Sequence, residues 1–131
     1  MNFGESFLSS DLFARELGVV HIDSGPGHAT LSLEISKKHL NAHGTVHGGV
    51  IFTLADCAFG IACNSDDVPS VAINTSISYV RPVNEGIIIA EATEFSKTRT
   101  LGTYSVTVKT SEGRKIATFQ GLAYRKHPNS K

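Results

Sequence analysis

Between Val50 and Asn64 every residue is apolar, small or uncharged except Asp56. An unpaired carboxylate moved into apolar surroundings is costly, so such groups are normally paired, hydrated or neutralised. A carboxylate kept in such a place is therefore a candidate base or nucleophile. Just upstream, in "LNAHGTVHGG", stand Asn41, His47, Gly48 and Gly49. The two glycines open the apolar run, where a helix has N–H groups without intrahelical acceptors and the positive end of its dipole. Glycine lets an oxygen come close to such donors.

Asp56 follows these glycines by seven or eight residues, or about 11 Å along a helix rising ~1.5 Å per residue. One small carbonyl group cannot touch both ends of that span within one chain. Across a two-fold interface, the helix start of one subunit can face the Asp56 of the other. An oxyanion hole and a carboxylate would then flank an acyl group.

Plainer roles exist for the same residues. His47 can be a hydrogen-bonded structural histidine, Asn41 can cap a turn, and the glycines can serve close packing. Asp56 can be a structural partner of His47 across an interface. His39, His43 and His47 recur at the spacing of metal ligands on a helix, but the interleaved glycines oppose a helix there, and no metal is expected. Cys57 and Cys63 would lie roughly 9 Å apart along one helix, too far for a disulfide, and read as core residues.

The surrounding elements must position these groups. "SFLSSDLFARELG" has Phe7, Leu8, Leu12, Phe13 and Leu17 at helical spacing. It predicts one amphipathic helix over 6–18, with Ser6 as N-cap and Gly18 as stop. "VVHID" and "GHATLSLEIS" alternate with period two around Ser24-Gly25-Pro26-Gly27, a hairpin. Gly44, Gly48 and Gly49 are expected to permit unusual backbone angles, and a helix apolar nearly all round is expected over 50–64. Strands are expected over 71–80, 86–95, 101–110 and 115–125, the last two joined through Glu112-Gly113. Residues 126–131 are expected to fray. Phe52, Phe59 and Tyr79 read as core aromatics, of which one or two can line an acyl pocket. The order predicts an α+β protein, one curved antiparallel sheet around a central helix, in a single domain over 1–131. One sheet cannot cover a helix on every side, so a homodimer is expected.

Composition narrows the functions. The 131 residues carry 12 basic and 12 acidic side chains, without a long basic block, which opposes nucleic-acid binding. No secretory leader is visible, and the longest apolar run is too short to span a membrane and holds Asp56, so the expected compartment is the cytoplasm.

The pattern Asn41, His47-Gly48-Gly49, Leu54 and Asp56, followed by "SYVRP" (Ser78 to Pro82), resembles the hotdog-fold acyl-CoA thioesterases, in particular the phenylacetate-pathway (PaaI-type) branch. The resemblance implies hydrolysis of an aryl-acetyl or medium-chain acyl-CoA. An amide at Gly48 or its neighbour would polarise the thioester carbonyl, and the partner's Asp56 would activate water or attack directly. Asn41 would hold water or substrate, and His47 would shape the loop. It further implies a homodimer, as a dimer of dimers, with no cofactor besides the coenzyme A of the substrate. Gly49 would contact substrate, and Arg81, Arg99 or Lys97 would meet the coenzyme A phosphates. Some relatives carry a hydroxyl one turn after the acid, where this chain has Gly60; Thr75 or Asn74 is the expected substitute. The competing readings are a hotdog dehydratase or hydratase using His47, and a non-catalytic acyl-CoA-binding module.

Overall fold

The computed structural model describes residues 1–128. Its centre is α3 (Gly48–Cys63), in which ten of sixteen residues are buried, Leu54, Ala55, Ala58 and Ile61 completely. Around it runs one antiparallel sheet built from β1 (Val20–Gly25), β2 (His28–Glu34), β3 (Ser70–Tyr79), β4 (Ile87–Lys97), β5 (Leu101–Thr110) and β6 (Lys115–Arg125), in the order β1-β2-β4-β5-β6-β3. This is the α+β hotdog arrangement that the sequence led us to expect.

Alternation explains the layer. Along β5, Gly102, Tyr104, Val106 and Val108 are buried while the residues between them are not. Side chains two apart share one face of a strand, so this set meets α3. Phe59 and Phe119 fill the middle, their ring centroids 5.8 Å apart. Gly121 lets β6 approach: a Cβ there would lie 2.6 Å from the Phe59 ring. The hairpin between β1 and β2 turns through Pro26-Gly27, with Gly27 at φ 75°.

The N-terminal segment departs from expectation. Two short helices replace the single helix over 6–18: α1 (Phe3–Ser9) and α2 (Leu12–Leu17). Ser6 is not an N-cap but lies inside α1, because Asn2 and Glu5 form a capping box that starts the helix earlier. Asp11 caps α2 by accepting from Ala14 N–H at 3.1 Å. Gly18 does end it, in the left-handed region at φ 90°. Both helices pack on the side of α3 that the sheet leaves open.

Three smaller corrections follow. α3 starts at Gly48, not Val50, because His47 caps it. Of the loop glycines only Gly44 has a positive φ, 81°; Gly48 and Gly49 are conventional in backbone and make room for neighbouring side chains. The chain does not fray at 126: Lys126 N–H donates to Pro69 C=O at 2.8 Å and His127 bonds Arg99 C=O. The rest of the expected frayed tail, 129–131, lies outside the described residues.

Candidate active site

The face of α3 that keeps some exposure is a stripe through Gly49, Phe52, Thr53, Asp56 and Gly60, the helical repeat of one side. Asp56 sits in its middle, half-buried. Among the described residues its carboxylate has neither an ion-pair partner nor a hydrogen-bond donor, so the chain itself supplies no pairing with His47. Burial, and secondly the negative charge of Asp11, raise its pKa above the ordinary carboxylate value.

At the helix entry, His47 Nδ1 accepts from Gly49 N–H at 2.8 Å, so a neutral imidazole carries its proton on Nε2. His47 C=O takes the N–H groups of Val50 and Ile51. Among the described residues no protein acceptor is bonded to the Gly48 N–H. The first turn thus holds one amide free for an incoming oxygen, and Gly49's amide is already committed. Asn41 organises the loop before it: its Oδ1 accepts from His43 N–H at 2.9 Å and Thr45 N–H at 3.2 Å, and its Nδ2 donates to the Thr45 hydroxyl at 3.0 Å. That arrangement is an Asx turn.

Tyr79 completes this end. Its hydroxyl donates to Gly48 C=O at 3.0 Å, and its ring covers Gly48, where a Cβ would lie 3.2 Å from Cζ. The expectation of a core aromatic is overturned: Tyr79 is 51% exposed, because it ends an edge strand. Phe59 is core, and Phe52 is half-buried beside Phe119. A cavity of about 280 Å³ opens here, lined by Thr45, Gly48, Ile51, Tyr79 and Arg81 among others.

The bulge in β3 between Ala72 and Asn74 decides which strand residues face the helix. Past it, Ile77 packs on the core and Tyr79 reaches Gly48, so Thr75 shares their face. Asn74 points to the other side, exposed. Of the two residues expected to replace a hydroxyl at Gly60, only Thr75 faces α3. A side chain at Gly60 would come within 3.6 Å of Phe7, so α1 lies over the end of the stripe.

The basic candidates separate. Arg81 follows β3 at the Gly48 end and donates to Lys115 C=O at 3.2 Å. Lys97 and Arg99 sit at the opposite end of the molecule, where Asp66 follows the C-terminus of α3. There Lys97 Nζ is 3.1 Å from Asp66 and the buried Arg125 is 2.9 Å from the same carboxylate. These two cations, with a backbone N–H from Val68, hold Asp66 down at about 2 against the opposing effect of burial. Within one chain, then, Lys97 and Arg99 are not gathered with Arg81. No cluster of metal-ligating side chains occurs among the described residues. Cys57 and Cys63 are free and buried, and burial pushes both thiols up, Cys63 to about 12.

A model of the thioesterase superfamily matches residues 43–117, the segment holding α3, β3, β4 and β5. The chain belongs to that superfamily. Among its relatives is a putative esterase of Archaeoglobus fulgidus, 41% identical over 76% of this chain; the chain spans 65% of that protein's length. A putative esterase of Deinococcus radiodurans is 38% identical, covering 90% of this chain and 82% of its own. The acyl-coenzyme A thioesterase PaaI of Escherichia coli is 32% identical over 88% and 84% of the two chains. The solved structure of the E. coli PaaI protein superposes with a TM-score of 0.91, at 28% identity over 95% of this chain and 91% of that one. The TT0310 protein of Thermus thermophilus gives 0.84 at 39% identity, over 88% and 98%.

Sequence reasoning about this candidate site left the place of Tyr79 open between core and pocket and did not single out Asp11. Tyr79 carried a usable signal, an aromatic two residues before Arg81-Pro82 at a strand end. Asp11 carried a stronger one, an N-cap residue type directly before a helical run.

Proposed function

We propose that the chain is an acyl-CoA thioesterase that hydrolyses an aryl-acetyl or medium-chain acyl-CoA to the free acid and coenzyme A. The carrying observation is the half-buried, unpaired Asp56 on the same helix as the unbonded Gly48 amide. The names of its relatives support the reading: PaaI of E. coli and the human acyl-coenzyme A thioesterase 13, the latter 30% identical over 80% of this chain.

In this reading the Gly48 N–H receives the thioester oxygen. Asp56 takes a proton from water as the water oxygen attacks the carbonyl carbon, or attacks that carbon itself to give an anhydride that water then opens. Collapse of the tetrahedral intermediate breaks the C–S bond, and the coenzyme A thiolate leaves and takes up the proton. Thr75 is the better-placed residue to hold the water. Asn41 and His47 shape the loop, Gly49 contributes the capped turn, and Arg81 stands at the mouth of the cavity for a coenzyme A phosphate. A hydratase reading loses support because His47 Nδ1 is spent on the cap.

Gly48 and Asp56 are eight residues apart on α3, about 12 Å at the helical rise. A shared site in a homodimer resolves that distance. β3 supports it: an edge strand of ten residues with unpaired backbone groups and with Val71 and Ile73 exposed at 43% and 54%. Phe13, Val20 and Ile22 are also exposed and apolar, a second surface for a dimer of dimers. No helix among the described residues is long and apolar enough to cross a membrane, and two free thiols accord with a reducing cytoplasm.

The test is thiol release over aryl-, short- and long-chain acyl-CoA, with Asp56→Asn as control. Turnover at least ~100-fold lower in the variant is the loss expected for a general base. An unchanged rate removes the mechanism, and hydration of an enoyl-CoA without thiol release would favour the hydratase.

A further inference from the structure

The corner between α1 and α2 holds a carboxylate that the reaction above does not use. Asp11 spends Oδ1 on the Ala14 N–H, and its Oδ2 lies 3.6 Å from Cys57 Sγ. Cys57 is the neighbour of Asp56 in α3 and is 9% exposed. Its thiol stays protonated, because burial and the two flanking carboxylates push it well above its ordinary value. Asp11 and Asp56 therefore flank one neutral, poorly solvated thiol.

Among the described residues neither carboxylate forms an ion pair. Arg15, the basic residue of α2, points its guanidinium at Ser9 C=O, 3.4 Å away. On α3 itself the titratable neighbours of Asp56 are Cys57 and Cys63, both protonated thiols. The sheet face packed on α3 carries polar groups: Tyr104, which rests on Phe59 and whose hydroxyl, pushed up to about 12, is neutral; the uncharged Thr75; and the buried Arg125, already paired with Asp66 beyond the C-terminus of the helix. We propose that Asp11 is a positioning residue of the site: the α1–α2 corner fixes its carboxylate against the Cys57 thiol, one residue along α3 from Asp56. Like charge acting through a poorly hydrated gap disfavours ionisation, so Asp56 holds a proton more tightly once it has taken one. The N-terminal helices then do more than cover α3: their junction delivers the charge. The inference rests on Asp56 acting as the base.

Asp11→Asn isolates the charge from the cap, since Asn caps a helix as well as Asp does. Asp11→Ser is the second variant, with a cap but no group long enough to reach Cys57. The full chain is labelled with ¹³C at aspartate carboxyls, and the titration of Asp56 is followed by NMR beside the pH dependence of kcat/KM. In both variants the Asp56 midpoint and the acidic limb of kcat/KM move together to lower pH, and the plateau rate falls because the base is weaker. An Asp56 midpoint that stays put in both variants overturns the inference, even if activity falls evenly at every pH, as a purely structural role would give. A midpoint that moves while the acidic limb does not would instead overturn Asp56 as the base.

Discussion

If each site takes its Gly48 amide from one subunit and its Asp56 from the other, two inactive proteins should restore one another. The first is Asp56→Asn. The second is Gly48→Pro, which deletes the amide with little change of backbone: His47, at φ −58° and ψ 134°, already has the extended geometry required before proline. Proline is also well tolerated as the first residue of a helix. The cost is local, since a Cβ at 48 comes within 3.2 Å of Tyr79 Cζ, and that ring is half exposed and able to give. Loss of one oxyanion donor lowers kcat by ~10²–10³, so each parent is nearly silent. Random two-fold pairing of equal amounts makes half the dimers mixed, and each mixed dimer has one intact site of two, so about a quarter of wild-type activity returns. The assay is thiol release after co-refolding, and the mixed species isolated through two tags should show about half of wild-type activity. Wild type mixed with the double variant is the reciprocal control: shared sites leave about a quarter of the activity of an all-wild-type sample, and sites within one chain leave about half. A mixture of the two single variants no more active than its parents refutes the shared site, and the 12 Å separation would then need another explanation.

Other outcomes follow from single contacts. Asp56→Asn should melt higher than wild type near neutral pH. The folded-state pKa of Asp56 is raised, so wild-type stability falls as pH rises through it, and the advantage should vanish in acid where both states are protonated; equal or lower melting of the variant at neutral pH contradicts this. Tyr79→Phe removes the hydroxyl bonded to Gly48 C=O and should lower kcat by about two- to tenfold with KM little changed, the scale of one hydrogen bond; steady-state kinetics decide it. Gly121→Ala puts a Cβ 2.6 Å from the buried Phe59 ring and should cost about 1–3 kcal/mol in urea unfolding. Gly4→Ala should undock α1, because its Cβ would overlap Ser24 Oγ and His21 Nε2, and amide exchange across α1 should rise while the β5 and β6 amides stay protected.

Much of this was legible in the order of residues, for reasons that are local. Period-two alternation placed the β1–β2 hairpin, and the apolar run placed α3, because burial on one face or on most faces leaves its own spacing. Asp56 stood out because a charge amid apolar neighbours needs no neighbour in space to be anomalous, and Gly18 announced a stop because a left-handed residue favours glycine. Other features depend on groups distant in sequence. The bulge at β3 exchanges the two faces of the strand and so sends Thr75, not Asn74, toward the helix; nothing in "INTSIS" fixes that parity, which follows from pairing with β6. Gly49's amide is consumed and Gly48's is free only because of how the His47 ring turns. Arg81 and Arg99 look equivalent as isolated basic residues, but folding carries them to opposite ends of a sixteen-residue helix. Asp11 meets Cys57 across 46 residues of chain. Local sequence determined which residue types were available for chemistry; the packing of distant segments decided which of them share a space, since electrostatic and hydrogen-bonding partners are chosen by distance in three dimensions.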